Sequence, residues 1–201
     1  ELSGSDAEVT NQLILTSGKV ITSAQKIIIS NTATNAIADD SKSKYILGTI
    51  RRYVTNESYK IPVGTSDYLE LVELDITSST GLDYLDISFV ESTETAPVNL
   101  QVNGNYVVEF LDYGYWDISA NAGVTAVDYN ITAHNYGATN ASSVAQNHTL
   151  VSDLGNGWDD NGTHSDLTQE ILSDTVIAAR TNVTTANSNY FGKFIVGVFG
   201  D

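Results

Sequence analysis

The sequence predicts an all-β protein, an antiparallel β-sandwich preceded by a short solenoid-like β lead-in, and three observations carry that reading. The hydrophobic period is two along nearly the whole chain, the residues that fill it are Val, Ile, Thr, Tyr and Phe, and no amphipathic helix is legible. Only two prolines occur in 201 residues. Turn-forming residues interrupt the apolar runs at roughly 8–12-residue intervals, the spacing of a sandwich rather than of strand–helix–strand units. A chain of this length buries roughly 70% of its unfolded surface, enough for a core without covalent staples. With no Cys, it has no disulfides, thiolate nucleophiles or cysteine metal sites.

Residues 1–30 form the lead-in. Gln12–Thr16, Lys19–Thr22 and Gln25–Ser30 read as three short strands separated by Ser17-Gly18 and Ser23-Ala24, a rhythm tight enough for solenoid coils. The pattern lapses over residues 31–44, where Ala, Thr, Ser and Asp dominate, and residues 31–201 are assigned to the sandwich. Its strands begin with Tyr45–Val54, Ser58–Val63 and Leu69–Ile76, with turn residues at Asn56 and at Gly64-Thr65-Ser66-Asp67. Leu82–Val90 alternates, Leu85, Ile87 and Phe89 facing inward and Asp86 and Ser88 outward. Asn99–Asn105 holds a turn, and Tyr106–Leu111 leads on to Tyr115–Ile118, whose alternation places Trp116 in the core. Thr125–Thr132 buries Val127, Tyr129 and Ile131. Thr149–Leu154, part of Leu167–Ala178 and Tyr190–Phe199 complete the set. The run Phe194–Phe199 is apolar on both faces, so both must be covered.

The charge narrows the partners. Nine Lys and Arg against 25 Asp and Glu give −16, which argues against nucleic acid and anionic membrane surfaces. No apolar run approaches the ~18 residues of a spanning helix, so direct membrane insertion is not expected. A chain that begins at Glu1 reads as a mature form after loss of a secretory signal, or as an excised fragment.

The landmarks fall in a recognisable order. The strings LILTSGKVITSAQKIIIS, SKYILGTIRRYV, SYKIPVG, YLELVELDITSSTG, GYWDISANAG, VDYNITAH and NYFGKFIVGVFG together resemble the β-sandwich modules of large secreted cell-surface proteins of Bacteroidota, of the Cytophaga and Flavobacterium type. The resemblance covers nearly the whole chain and rests on a Tyr-x-x-Gly-x-x-Arg-Arg strand, a Pro-Val-Gly turn, a Tyr-Trp-x-Ile strand and a closing aromatic-x-x-Phe strand. It implies a secreted, surface-displayed structural or adhesive module without catalytic activity. The relatives usually sit inside very long chains that end in a sorting domain, and no such domain is visible here.

Several residues are candidates for chemistry. The pattern N-x-[ST] occurs at Asn56, Asn130, Asn140, Asn147, Asn161 and Asn182, of which Asn130 points away from the buried face of its strand. On the family resemblance, Asp174-Thr175-Val176 matches an O-glycan acceptor centred on Thr175. The acidic loop 153–166 offers Asp153, Asp159, Asp160, Asn161 and Asp166 as oxygen ligands for calcium. It fails the EF-hand spacing, and a solvated turn is the preferred reading. Trp158 in the same loop is the candidate for stacking on a sugar ring.

No catalytic constellation stands out. There is no nucleophile elbow, zinc-protease helix or phosphate-binding loop. His134, His148 and His164 lie in polar contexts without metal-ligand spacing and are expected on the surface. Arg51-Arg52 is the lone basic pair; neighbours on a strand face opposite ways, so one must lean inward, and a structural pairing with a carboxylate is expected.

The reading that follows is of a secreted structural or adhesive surface protein that forms a homopolymer by strand exchange between subunits, with no required cofactor. A lead-in too short to close its own core needs neighbours, and an unsatisfied strand is a natural donor to the next subunit's sheet edge. The alternative is a monomeric glycan-binding or adhesin module excised from a larger surface protein.

Overall fold

The alternation becomes seventeen strands in a computed structural model that describes residues 1–184 and 189–200. The lead-in supplies β1 (Ala7–Val9), β2 (Leu13–Ile14) and β3 (Val20–Ile29), and β4 (Ile37–Ala38) lies in the segment that follows it. Then come β5 (Ile46–Tyr53), β6 (Ser58–Gly64), β7 (Leu69–Thr80), β8 (Tyr84–Glu91), β9 (Gln101–Val102), β10 (Asn105–Phe110), β11 (Gly114–Ala120) and β12 (Ala126–Tyr136). The last five are β13 (His148–Asp153), β14 (Trp158–Asp159), β15 (Glu170–Leu172), β16 (Thr175–Thr184) and β17 (Lys193–Phe199). Two short 3₁₀ turns, Ala145–Asn147 and Asp166–Thr168, are the only helical pieces among the described residues, so no helix is long and apolar enough to cross a membrane.

Two layers enclose the core. One follows the order β1-β3-β5-β8-β11-β17-β13-β14, with β10 also on β17 and β9 on β10; the other follows β6-β7-β12-β16-β15. Ile50, Ile87, Trp116 and Phe194 from the first layer and Ile61, Leu74, Tyr129 and Ile131 from the second belong to the same buried cluster. The layers join at β5, whose start pairs with β6 in parallel, Ile46 with Val63 and Leu47 with Gly64, and whose end pairs with β8 antiparallel. The fold is therefore an all-β sandwich. Parallel pairing is confined to the lead-in and β5.

The lead-in has the stacked geometry of a solenoid. Strands β1, β3 and β5 lie side by side in parallel, and β2 lies parallel to β4 as a second, shorter stack. The sequence suggests a turn at Ser23-Ala24, but β3 runs through it. Ser23 takes a φ of 52°, and the register against β5 shifts between Ile21 and Lys26, so the turn residues make a bulge instead. Ile27 and Ile29 at the end of β3 enter the common core, so residues 1–30 share that core with the sandwich.

The bulge also explains a glycine. Gly48 has a φ of 120°, and a side-chain carbon there would come 2.0 Å from Thr22 Oγ1, the atom that accepts the Thr49 N–H at 2.9 Å. Only glycine permits that approach of β3 to β5.

Both arginines of β5 bind, in different ways. Arg51, on the outer face, meets Asp86 of β8 through two bonds of 2.7 and 2.8 Å and lies over the Tyr84 ring, while Lys26 of β3 reaches the same carboxylate. One carboxylate thus ties three neighbouring strands. Arg52 turns inward and is fully buried against Tyr59, and its guanidinium donates to the main-chain oxygens of Asn31, Ala33 and Tyr53. The expected carboxylate belongs to the outer arginine. The inner one holds the segment that leaves β3, and burial lowers its pKa against the opposing effect of Tyr59.

The apolar C-terminal strand is covered on both faces. Phe194, Val196 and Val198 face the main core, while Ile195 and Phe199 join Leu100, Val102, Val107, Phe110 and Val151 in a smaller cluster on the outer side. The β9–β10 segment is folded over that side, so the cover comes from the same chain.

The Asp86 carboxyl gives this scheme a pH signature. Burial works against its ionisation, but the bonds from Arg51 and Lys26 outweigh it and leave the pKa below the usual value. A lowered folded pKa contributes stability that is present above the unfolded value and lost as pH falls through the folded one. Asp86→Asn should cost about 1–3 kcal/mol at neutral pH. In urea titrations, that gap should narrow as the pH falls below the carboxylate range.

Candidate functional site

The acidic loop is a hairpin between β13 and β14 with a long return to β15. Its oxygens serve local bonds. Asp153 Oδ1 accepts the N–H groups of Gly155 and Gly157 at 2.8 and 2.9 Å, closing the turn, and Asp159 Oδ1 accepts that of Asp160. Asn161 donates to Ser152 Oγ, and Asp166 faces His164. Among the described residues no three acidic or histidine side chains gather where they could hold a metal ion. Trp158 is half-buried; Phe110 and Tyr115 meet its ring edge-on at centroid distances of 5.1 and 6.4 Å, in the outer cluster.

Beneath the hairpin lies a chain of polar groups, buried except for the exposed Asp166 at its end, that the sequence pattern does not reveal. Arg180 of β16, almost fully buried, donates through Nη2 to Thr149 Oγ1 at 3.2 Å and through Nε to the Leu150 main-chain oxygen. Thr149 Oγ1 is 3.1 Å from His164 Nδ1, and His164 Nε2 is 3.0 Å from Asp166 Oδ1. The carboxylate sets the tautomer. Facing an acceptor-only group, Nε2 carries the proton of the neutral ring, and Nδ1 then accepts from the Thr149 hydroxyl. Burial lowers the His164 pKa, although Asp166 opposes that, so the ring is held neutral. The order of groups is that of a nucleophile, base and acid, but Thr149 has no exposed surface and cannot meet a substrate. The chain is a structural tie between the two layers. Arg180, pushed down by burial to about 10 with Asp160 and Asp159 pulling back, fills the outer edge of β13.

The histidines correct the expectation of a surface position. His148 and His164 are buried, and His134 is largely covered beside Glu73. Short polar neighbours in sequence hid them, because β13 is a covered strand and His164 packs its ring edge on Phe199 at 5.5 Å.

The acceptor sites differ in access. Asn130 is tied at both ends of its amide, donating to Asp75 Oδ2 and accepting from the Asn182 N–H, each at 2.9 Å. Asn140 is locked similarly, between Phe110, Glu109 and Asp112. Asn147 and Asn161 donate to Ser142 and Ser152. Asn56 and Asn182 are exposed, and Asn56 accepts from Ser79 through its amide oxygen. Thr175 is buried with its hydroxyl turned to Asp174; the motif falls at the first residue of β16, where the strand enters the core.

The remaining candidate is an edge. Among the described residues β1 pairs with β3 alone and β2 with β4 alone, so the first rung of the lead-in has one bonded side and one unpaired side. The Val9 carbonyl accepts from the Ser30 N–H. Within a strand the N–H and C=O of one residue point to the same edge and alternate between neighbours, so those of the exposed Glu8 point outward. Ile14 of β2 is half exposed on the same rung.

Compared with known proteins, the chain matches no family model, no curated protein and no solved structure.

Removing the buried tie should show its weight. Arg180→Met keeps a long stem but leaves Leu150 O and Thr149 Oγ1 without their donor. Chemical denaturation should show a loss of about 1–3 kcal/mol for each buried acceptor left unmet.

Proposed function

We propose that this protein is a secreted structural or adhesive module of a cell surface that joins copies of itself into a filament or layer through the N-terminal rung. The supporting observation is the open side of β1, where the Glu8 main chain faces outward at the end of a parallel stack. Stacked coils are completed by neighbours, and an unpaired strand edge is a template for another strand. Strand β3 is already seated between β1 and β5, so joining proceeds by adding a strand to the edge rather than by withdrawing β3. A head-to-tail contact of this kind repeats without closing unless its rotation returns on itself. The net charge of −16 and the resemblance to Bacteroidota surface modules support an extracellular setting.

The experiment is light scattering with electron microscopy on the native protein and on Glu8→Pro. The proline deletes the outward N–H and leaves the Ala7 and Val9 bonds to β3 in place. The native chain should form concentration-dependent assemblies, and the variant should remain monomeric with an unchanged circular dichroism spectrum. Uniform native monomers at high concentration would overturn the assembly reading in favour of a monomeric adhesin.

A further inference from the structure

Glu70 is an acidic residue in an apolar place. On β7 it shares the inward face with Val72, Leu74 and Ile76, and it is fully buried. Asn135 occupies the corresponding position on the neighbouring β12, following Val127, Tyr129, Ile131 and Ala133 along the inward face, and is also buried. One carboxyl oxygen is satisfied. Glu70 Oε2 accepts from Asn135 Nδ2 at 3.1 Å and from the Tyr136 N–H at 3.2 Å. The other, Oε1, has no partner, and neither does Asn135 Oδ1. These two orphans belong to a pair of side chains already joined through their other ends. Both are acceptors, so a single proton placed between them satisfies both.

We infer that Glu70 is held as the neutral acid in the folded protein and donates its Oε1 proton to Asn135 Oδ1, closing a ring of two hydrogen bonds between acid and amide. The surroundings favour this form. From the β10–β11 connection comes Asp112, whose negative charge opposes a second one. From β12 comes Tyr136, which contributes its main-chain N–H; Lys42 and Lys60 act on its phenol. From β11 comes Trp116, whose indole N–H is spent on the Glu70 main-chain oxygen at 2.9 Å, and from β6 the opposite residue is Val63. No cation is among the groups acting on the carboxyl. Burial raises the pKa well above the usual carboxylate value, the bonds from Tyr136 and Asn135 oppose it, and Asp112 adds to it.

The pair makes one end of the sandwich sensitive to alkali. Asp112 accepts from the Thr139 N–H and hydroxyl, and its own N–H donates to Asn140 Oδ1, so the 137–140 turn is fastened to the residue that faces Glu70. Loss of the proton sets two buried acceptors against each other and a charge against Asp112, which loosens that fastening. A folded pKa above the unfolded one contributes stability that is complete below the unfolded value and lost as pH rises through the folded value.

Glu70→Gln tests the ring, since the glutamine Nε2 supplies a permanent N–H where the acid has its proton. Melting temperatures of the two proteins should be close under acidic conditions, and the variant should gain on the native protein steadily as the pH rises. Infrared spectra at neutral pH should show the carbonyl stretch of a neutral carboxylic acid in the native protein and its loss in the variant. A variant that is less stable by the same margin at every pH, or a native protein without the neutral-acid band, would overturn the inference. The infrared reading of the native protein decides the matter alone if the variant does not fold. The inference is independent of the assembly reading.

Discussion

Strand β5 carries adjacent arginines whose side chains fasten opposite faces of the molecule. On the outer face Arg51 shares Asp86 with Lys26, so one carboxylate spans β3, β5 and β8. On the inner face Arg52 takes three main-chain oxygens, two of them from the segment that leaves β3. The same strand begins in one layer and ends in the other, pairing first with β6 and then with β8. A buried arginine bound to carbonyls rather than to a carboxylate gains no charge neutralisation, so its contribution is positional: it fixes where the chain goes after β3.

The residues around β5 form one mechanical unit. Tyr45 is buried and donates its hydroxyl to the Thr65 main-chain oxygen. Gly64, where a side-chain carbon would come 2.9 Å from the Tyr45 ring, leaves room for it, and Gly48 lets the Thr22 bulge approach. Tyr45, Gly48, Arg51, Arg52 and Gly64 are the positions that make the Tyr-x-x-Gly-x-x-Arg-Arg and Pro-Val-Gly strings distinctive. Each has a packing or hydrogen-bonding reason on its own. Without disulfides, the fold is closed on this side by β5 and on the other by Arg180 reaching from β16 to β13.

The strong alternations were legible in the sequence for a physical reason: a strand with one wet face must repeat every two residues. Leu85, Ile87 and Phe89, and Val127, Tyr129 and Ile131, are buried as their period requires, and Trp116 is fully buried. What escaped was polar and covered. His148 and His164 sit among Asn, Thr and Asp in sequence, yet both are buried. Glu70 did leave a signal, because it keeps step with Val72, Leu74 and Ile76; a carboxyl in an apolar phase is a burial statement. Strands β1 and β4 were missed because two or three residues cannot express a period. The composition of the acidic loop does not show that Asp153 is committed to closing its turn.

The lead-in shares the core of the sandwich, and β5 with its arginines holds it there. Native-state amide hydrogen exchange measures this most directly, by comparing Ile27–Ile29 of β3 with Ile50–Arg52 of β5 and Leu85–Ile87 of β8. All three segments should open with the same free energy and the same dependence on denaturant. Exchange of the β3 amides through a separate, much easier opening, with β5 and β8 still protected, would contradict it.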